Sequence, residues 1–134
     1  MSVVWMMLML VMIAASRKLK SRCKDEALEV REEYATVIFT GTVWRVFRTS
    51  EQKFTYSAEV KVRRVLKGGD HVNADTLVVI DEIGTPLICR NRVREKDTRI
   101  FFLTQGVNHL RFNSSVIRMT MANLLRVMAA VKVE

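Results

Sequence analysis

The stretch FTYSAEVKVRRVL (54–66) constrains this chain more than any other. Phe54, Tyr56, Ala58, Val60, Val62 and Leu66 fall on one side of an extended chain, and Thr55, Ser57, Glu59, Lys61 and Arg63 on the other. A period of two over this length belongs to an antiparallel strand with one face in a core and one in water. Lys67-Gly68-Gly69-Asp70 ends it in a turn.

Other segments read as partners for this strand. YATVIFTGTVWRVFR (34–48) is rich in β-branched and aromatic residues, with Gly41 marking a bulge or bend. TLVVID (76–81) and DTRIFFLTQ (97–105) are further strands, and a last short one runs through LRF (110–112) or SVIRM (115–119). IGTPLIC (83–89) contains the only proline and reads as an irregular crossing. Helix formers without a breaker fill CKDEALEVREE (23–33), with Ala27, Val30 and Tyr34 as its apolar stripe and charged residues outward. MANLLRVMAAVKVE (121–134) returns to a helical period, with Met121, Leu124, Leu125, Met128 and Val131 on one side. Val127, Ala130 and Val133 widen that stripe beyond what one core contact covers, which calls for a second partner. Five short strands with a helix at each end predict an all-β domain, a small closed or partly closed barrel, with a sandwich as the competitor.

The first sixteen residues stand apart. Val3–Ala15 is an apolar run of thirteen residues, short against the roughly twenty that span a bilayer. Ala14 and Ser16 suit a signal-peptidase cut before Arg17. The basic cluster RKLKSR (17–22) after the run, with no basic residue before it, fits an uncleaved anchor instead. The expected organisation is therefore 1–16 signal peptide or short anchor, 17–22 basic linker and 23–134 folded domain. Membrane contact is expected only if the run stays uncleaved.

Four charges lie on Arg17, Lys18, Lys20 and Arg22 and no acid precedes residue 23, so the net +8 falls to +4 over residues 23–134. That modest basic balance is ordinary for a soluble domain and also suits an acidic polysaccharide or an acidic protein surface. Asn113-Ser114-Ser115 is the one glycosylation sequon. Cys23 and Cys89 read either as a disulfide or as two reduced thiols, and counting alone does not separate these.

Motifs of catalysis are absent. His71 and His109 sit beside turn residues, and no cysteine or histidine pair has metal-ligand spacing. The glycines at 68–69 lack the length and Lys-Ser/Thr of a phosphate loop. Trp44, Phe54, Tyr56 and Phe101 offer stacking surfaces of the kind nucleic-acid-binding barrels use, but core positions account for them better. The expectation is no enzyme, no cofactor, no metal and no nucleic acid.

FTGTVWRVFR (39–48), TYSAEVKVRRVLKGGD (55–70), PLICRNRV (86–93), DTRIFFL (97–103) and RFNSSVIRMTMANL (111–124), in that order, closely resemble the agrin N-terminal domain family. The resemblance implies a five-stranded OB-fold barrel with N- and C-terminal helices, similar to the tissue inhibitors of metalloproteinases. It implies a secreted glycoprotein of basement membrane that binds the laminin coiled coil through its gamma chain, glycosylated at Asn113 and bridged between Cys23 and Cys89. The family's laminin contacts correspond to Leu124 and Val131, with Met128 and Val127 beside them. Departures include Ala58 and Ala130, where some members carry cysteines, and a less acidic C-terminal helix with Leu125 and Arg126. The alternative is a metalloproteinase inhibitor of the same fold. That chemistry needs a free amino terminus at Cys23, which Lys20-Ser21-Arg22 does not provide by signal cleavage.

Overall fold

The computed structural model describes residues 26–132. The leader and linker segments 1–22 and Cys23 lie outside the described residues. The order of elements is α1 (Leu28–Tyr34), β1 (Val37–Phe47), β2 (Tyr56–Lys67), β3 (Leu77–Ile83), β4 (Thr98–Gln105), β5 (Leu110–Phe112), β6 (Ile117–Arg118) and α2 (Met121–Lys132). Strands pair in the order β1-β2-β3-β5-β4, and β4 returns to β1, so the sheet closes on itself. All pairings are antiparallel except β3 with β5. This is the OB-type barrel, and closure excludes the sandwich.

Closure rests on β1. Ile38–Thr42 pair with β2 on one edge and β4 on the other, while Val43–Phe47 continue along β2 alone. Register shifts at Ile38/Phe39, Thr40/Gly41 and Val43/Arg45 let the strand curl. Gly41 stands at one of these shifts, and a Cβ there would lie 2.7 Å from Val60 Cγ1. A second glycine is needed at Gly68, where φ is +81° and a Cβ would lie 2.5 Å from Thr36 O.

Strand faces divide the core in two. Val37, Phe39, Val43, Ala58, Val60, Val62, Ile80, Ile83, Phe101, Leu103 and Phe112 fill the barrel. Phe101 packs between Phe39, at 5.5 Å between centroids, and Phe112, at 6.0 Å. The alternate residues Ile38, Ile100 and Phe102 point out of the barrel but are buried beneath the helices, with Leu28, Ala35 and Val127. Burial on both faces explains why VIF and IFFL are unbroken apolar runs while β2 alternates.

The N-terminal helix differs from its expected form. It begins at Leu28, with Ala27 extended at its N-terminal boundary. Its buried face is Leu28, Arg31 and Glu32, continued by Ala35, whereas Tyr34 is 68% exposed. The spacing is helical, but two of the buried positions carry charge, so a reading by hydropathy assigns them to solvent. Arg31 lies over the Phe102 ring at 4.7 Å, donates from Nε to Ser114 Oγ at 2.9 Å, and donates from Nη2 to the Ser115 carbonyl. Glu32 meets Lys67 Nζ at 3.3 Å, and the same ammonium donates to the Glu32 carbonyl at 2.7 Å. Each buried charge is thus partnered, the condition for tolerating it.

Two aromatics expected in the core are outside it. Trp44 is 61% and Phe54 84% exposed, while Phe101 is fully buried. Trp44 follows the last point where β4 pairs with β1, and Phe54 precedes the start of β2, so neither has a barrel interior to enter. Both expected sites for the last strand are occupied, by β5 and by β6.

Candidate functional site

Helix α2 is set on the barrel by its first turn. The Asn123 amide donates to Thr120 Oγ1 at 3.1 Å, a side-chain cap, and the Leu124 amide donates to the Thr120 carbonyl at 2.9 Å. Asn123 Nδ2 donates back to the Arg118 carbonyl at 3.0 Å, tying the helix to β6. Val127 is fully buried in the cluster formed by Leu28, Ala35, Ile38, Ile100 and Phe102.

Each residue of an α-helix turns the side chain by about 100°. Measured from Val127, Val131 and Leu124 then lie roughly 40° and 60° round one flank, followed by Met128 and Met121 at roughly 100° and 120° and Leu125 at roughly 160°. Burial falls in the same sequence. Leu124 is 7% exposed, Val131 and Met128 are half-buried, Leu125 is 58% and Met121 71% exposed. The opposite flank carries Asn123, Ala130 and Arg126. The apolar surface of α2 therefore continues without a break from the barrel contact into solvent, on one side only.

The four residues expected to contact a partner are thus spread along that gradient. Val127 is wholly inside, Leu124 and Val131 are at the seam, and Met128 is beyond it. Met121 and Leu125, part of the predicted stripe but not of the predicted contact set, are the most exposed members. Both belong to the side read from the helical period; of the residues read as widening it, Val127 is instead the buried one, Ala130 lies on the opposite flank, and Val133 lies outside the described residues. The helix holds no acidic residue, and Arg126 and Lys132 are exposed on it.

Asn113 is half-exposed beside α1, with Nδ2 donating to the Tyr34 carbonyl at 3.1 Å, and Ser115 of the same sequon is buried. Cys89 is buried and disulfide-bonded. His109 Nδ1 lies 2.9 Å from Asp81 Oδ2, and Asp81 Oδ1 accepts from Ser57 Oγ at 2.7 Å. His71 is exposed on the turn after β2. Among the described residues no group of three or more His, Cys, Asp or Glu side chains is placed to hold a metal ion. No described helix is long and apolar enough to cross a membrane.

A family model for the agrin NtA domain matches residues 29–134, which takes in the whole barrel and α2. NtA domains are extracellular binding modules, not enzymes. With that match across most of its length, and a closed barrel flanked by two helices, the chain belongs to the agrin NtA domain family.

Proposed function

We propose that this domain anchors to basement membrane by docking the exposed flank of α2 against the coiled-coil arm of laminin, on its gamma chain. The observation that carries the reading is the one-sided apolar gradient from Leu124 and Val131 through Met128 to Met121 and Leu125. A helix presenting residues at i, i+4 and i+7 lays a ridge that fits the groove between the side-chain rows of another helix. Lys132, exposed on that same flank at roughly 140° from Val127, favours an acidic stretch of coiled coil and speeds the encounter. The reading includes secretion after removal of residues 1–16, a bridge from Cys89 to Cys23, and a glycan on Asn113.

Binding of the secreted domain to a laminin coiled-coil fragment containing the gamma chain tests it. Leu124 is a poor probe, because truncating so buried a leucine costs about 2–5 kcal/mol of stability. M128A/V131A removes partner contact from half-buried positions and should weaken binding by roughly tenfold or more with the fold retained. Undiminished binding by this variant, or equal binding to a coiled coil lacking the gamma chain, would overturn the assignment.

A further inference from the structure

Arginines from separate segments converge on the side of the domain away from the apolar flank of α2. Arg90 and Arg92 from the loop between β3 and β4, Arg99 from β4 and Arg118 from β6 line one open depression of 620 Å³, with Arg31 at its α1 wall and Asn123 at its α2 wall. Among the described residues no carboxylate and no aromatic ring lines it. Of those four surface arginines only Arg99 meets a carboxylate among the described residues, Asp97 at 3.6 Å.

Two features mark this as more than a solvated charged surface. Arg99 and Arg118 are direct partners in the β4–β6 register. Like charges at such a position repel and lower sheet stability. The loop bearing Arg90 and Arg92 is also fixed at several points. The Tyr56 hydroxyl donates to the Val93 carbonyl at 2.9 Å and accepts from the Val93 amide at 3.0 Å. Buried Asn91 donates to the Thr85 carbonyl at 3.0 Å, the Val116 amide donates to the Arg90 carbonyl at 3.1 Å, and Cys89 is disulfide-bonded. The guanidinium groups thus start from a held backbone, which lowers the ordering cost of binding.

We propose that this depression binds the sulfate groups of a sulfated glycosaminoglycan. Guanidinium forks match tetrahedral oxyanions with paired donors, whereas lysines act as point charges. The opening is wide and Arg90, Arg92 and Arg118 are exposed, which suits a polymer lying across them rather than an enclosed small anion. Without aromatic lining the site lacks the stacking surfaces that single-stranded nucleic acid uses. The NtA family is extracellular, where sulfated polysaccharide offers dense oxyanions of that geometry. Asn123 lies on the opposite side of Val127 from Met128 and Leu125, so the polysaccharide and a helix docked on α2 occupy different surfaces.

The test uses the secreted domain and heparin as the probe, near 0.15 M salt where unspecific attraction is screened beyond about 8 Å. R92Q/R118Q should bind roughly tenfold more weakly than the parent, in line with loss of two charge-assisted contacts. R48Q/R64Q, which removes the same charge from exposed positions off the site, should change affinity less than about threefold. M128A/V131A should bind heparin as the parent does. Equal losses in the two arginine pairs would reduce the effect to net charge and overturn the site. So would equal binding of hyaluronan, which carries carboxylates alone, or equal competition by a DNA duplex.

Discussion

Replacing Arg31 with methionine keeps most of the side-chain volume in the helix–barrel contact and deletes the guanidinium. The side chain is 8% exposed, so few of its interactions are shared with water. Lost are the bonds to Ser114 Oγ and the Ser115 carbonyl and the contact with the Phe102 ring. Bonds from a charged donor contribute about 1.5–3 kcal/mol each and a desolvated cation–π contact up to about 2 kcal/mol. Two terms oppose them. The variant need not desolvate a charge on folding, and the other arginines lining the depression that Arg31 walls are relieved of one like charge. The net expected loss is about 2–3 kcal/mol, a fall in Tm of roughly 8–20 °C for a domain of this size. Thermal and urea unfolding of R31M, followed by circular dichroism beside R90M as an exposed control, provide the measurement. The control should move by less than about 0.5 kcal/mol. An R31M variant that melts within about 2 °C of the parent would refute the claim that the buried arginine clamps α1 and the 113–115 turn to the barrel.

Three further outcomes follow from the same geometry. C89S, or reduction of the parent, should cost about 4 kcal/mol if the bridge closes the 66-residue loop to Cys23, and peptide mapping without reduction should recover the two cysteines together. G68A should destabilise by about 2–4 kcal/mol in urea unfolding, since the added carbon meets Thr36 O at a positive φ, whereas G69A, open on all sides, should be near neutral. N113Q should lower the mass of secreted protein by one glycan while leaving the melt within about 1 kcal/mol, because among the described residues its side-chain amide makes one half-exposed bond, to the Tyr34 carbonyl.

The parts of the molecule that were legible in the sequence were those where one physical signal dominated. Ala58, Val60 and Val62 alternate because β2 has one wet face, and the closed barrel places all three in its core. The helical period of α2 and its excess width were equally plain, since an unpartnered apolar flank leaves its mark in composition. Arg31 and Glu32 were not legible. Their burial depends on Phe102, Ser114, Ser115 and Lys67, partners 35 to 84 positions away, and local hydropathy points the wrong way. Trp44 and Phe54 misled for the converse reason, as large apolar side chains at positions where the barrel wall has ended. The arginine depression was hidden most completely. Its charges are dispersed over residues 31, 90, 92, 99 and 118, and the β4–β6 pairing, the held loop and the seating of α1 on the 113–115 turn bring them together.

Docking on one flank of α2 should show in amide hydrogen exchange on the domain with and without a gamma-chain-containing laminin coiled coil. Exchange should slow across Met121–Lys132, with no change in β2 or β3. Protection confined to the barrel around Trp44 and Phe54, with α2 exchanging as in the free domain, would contradict it.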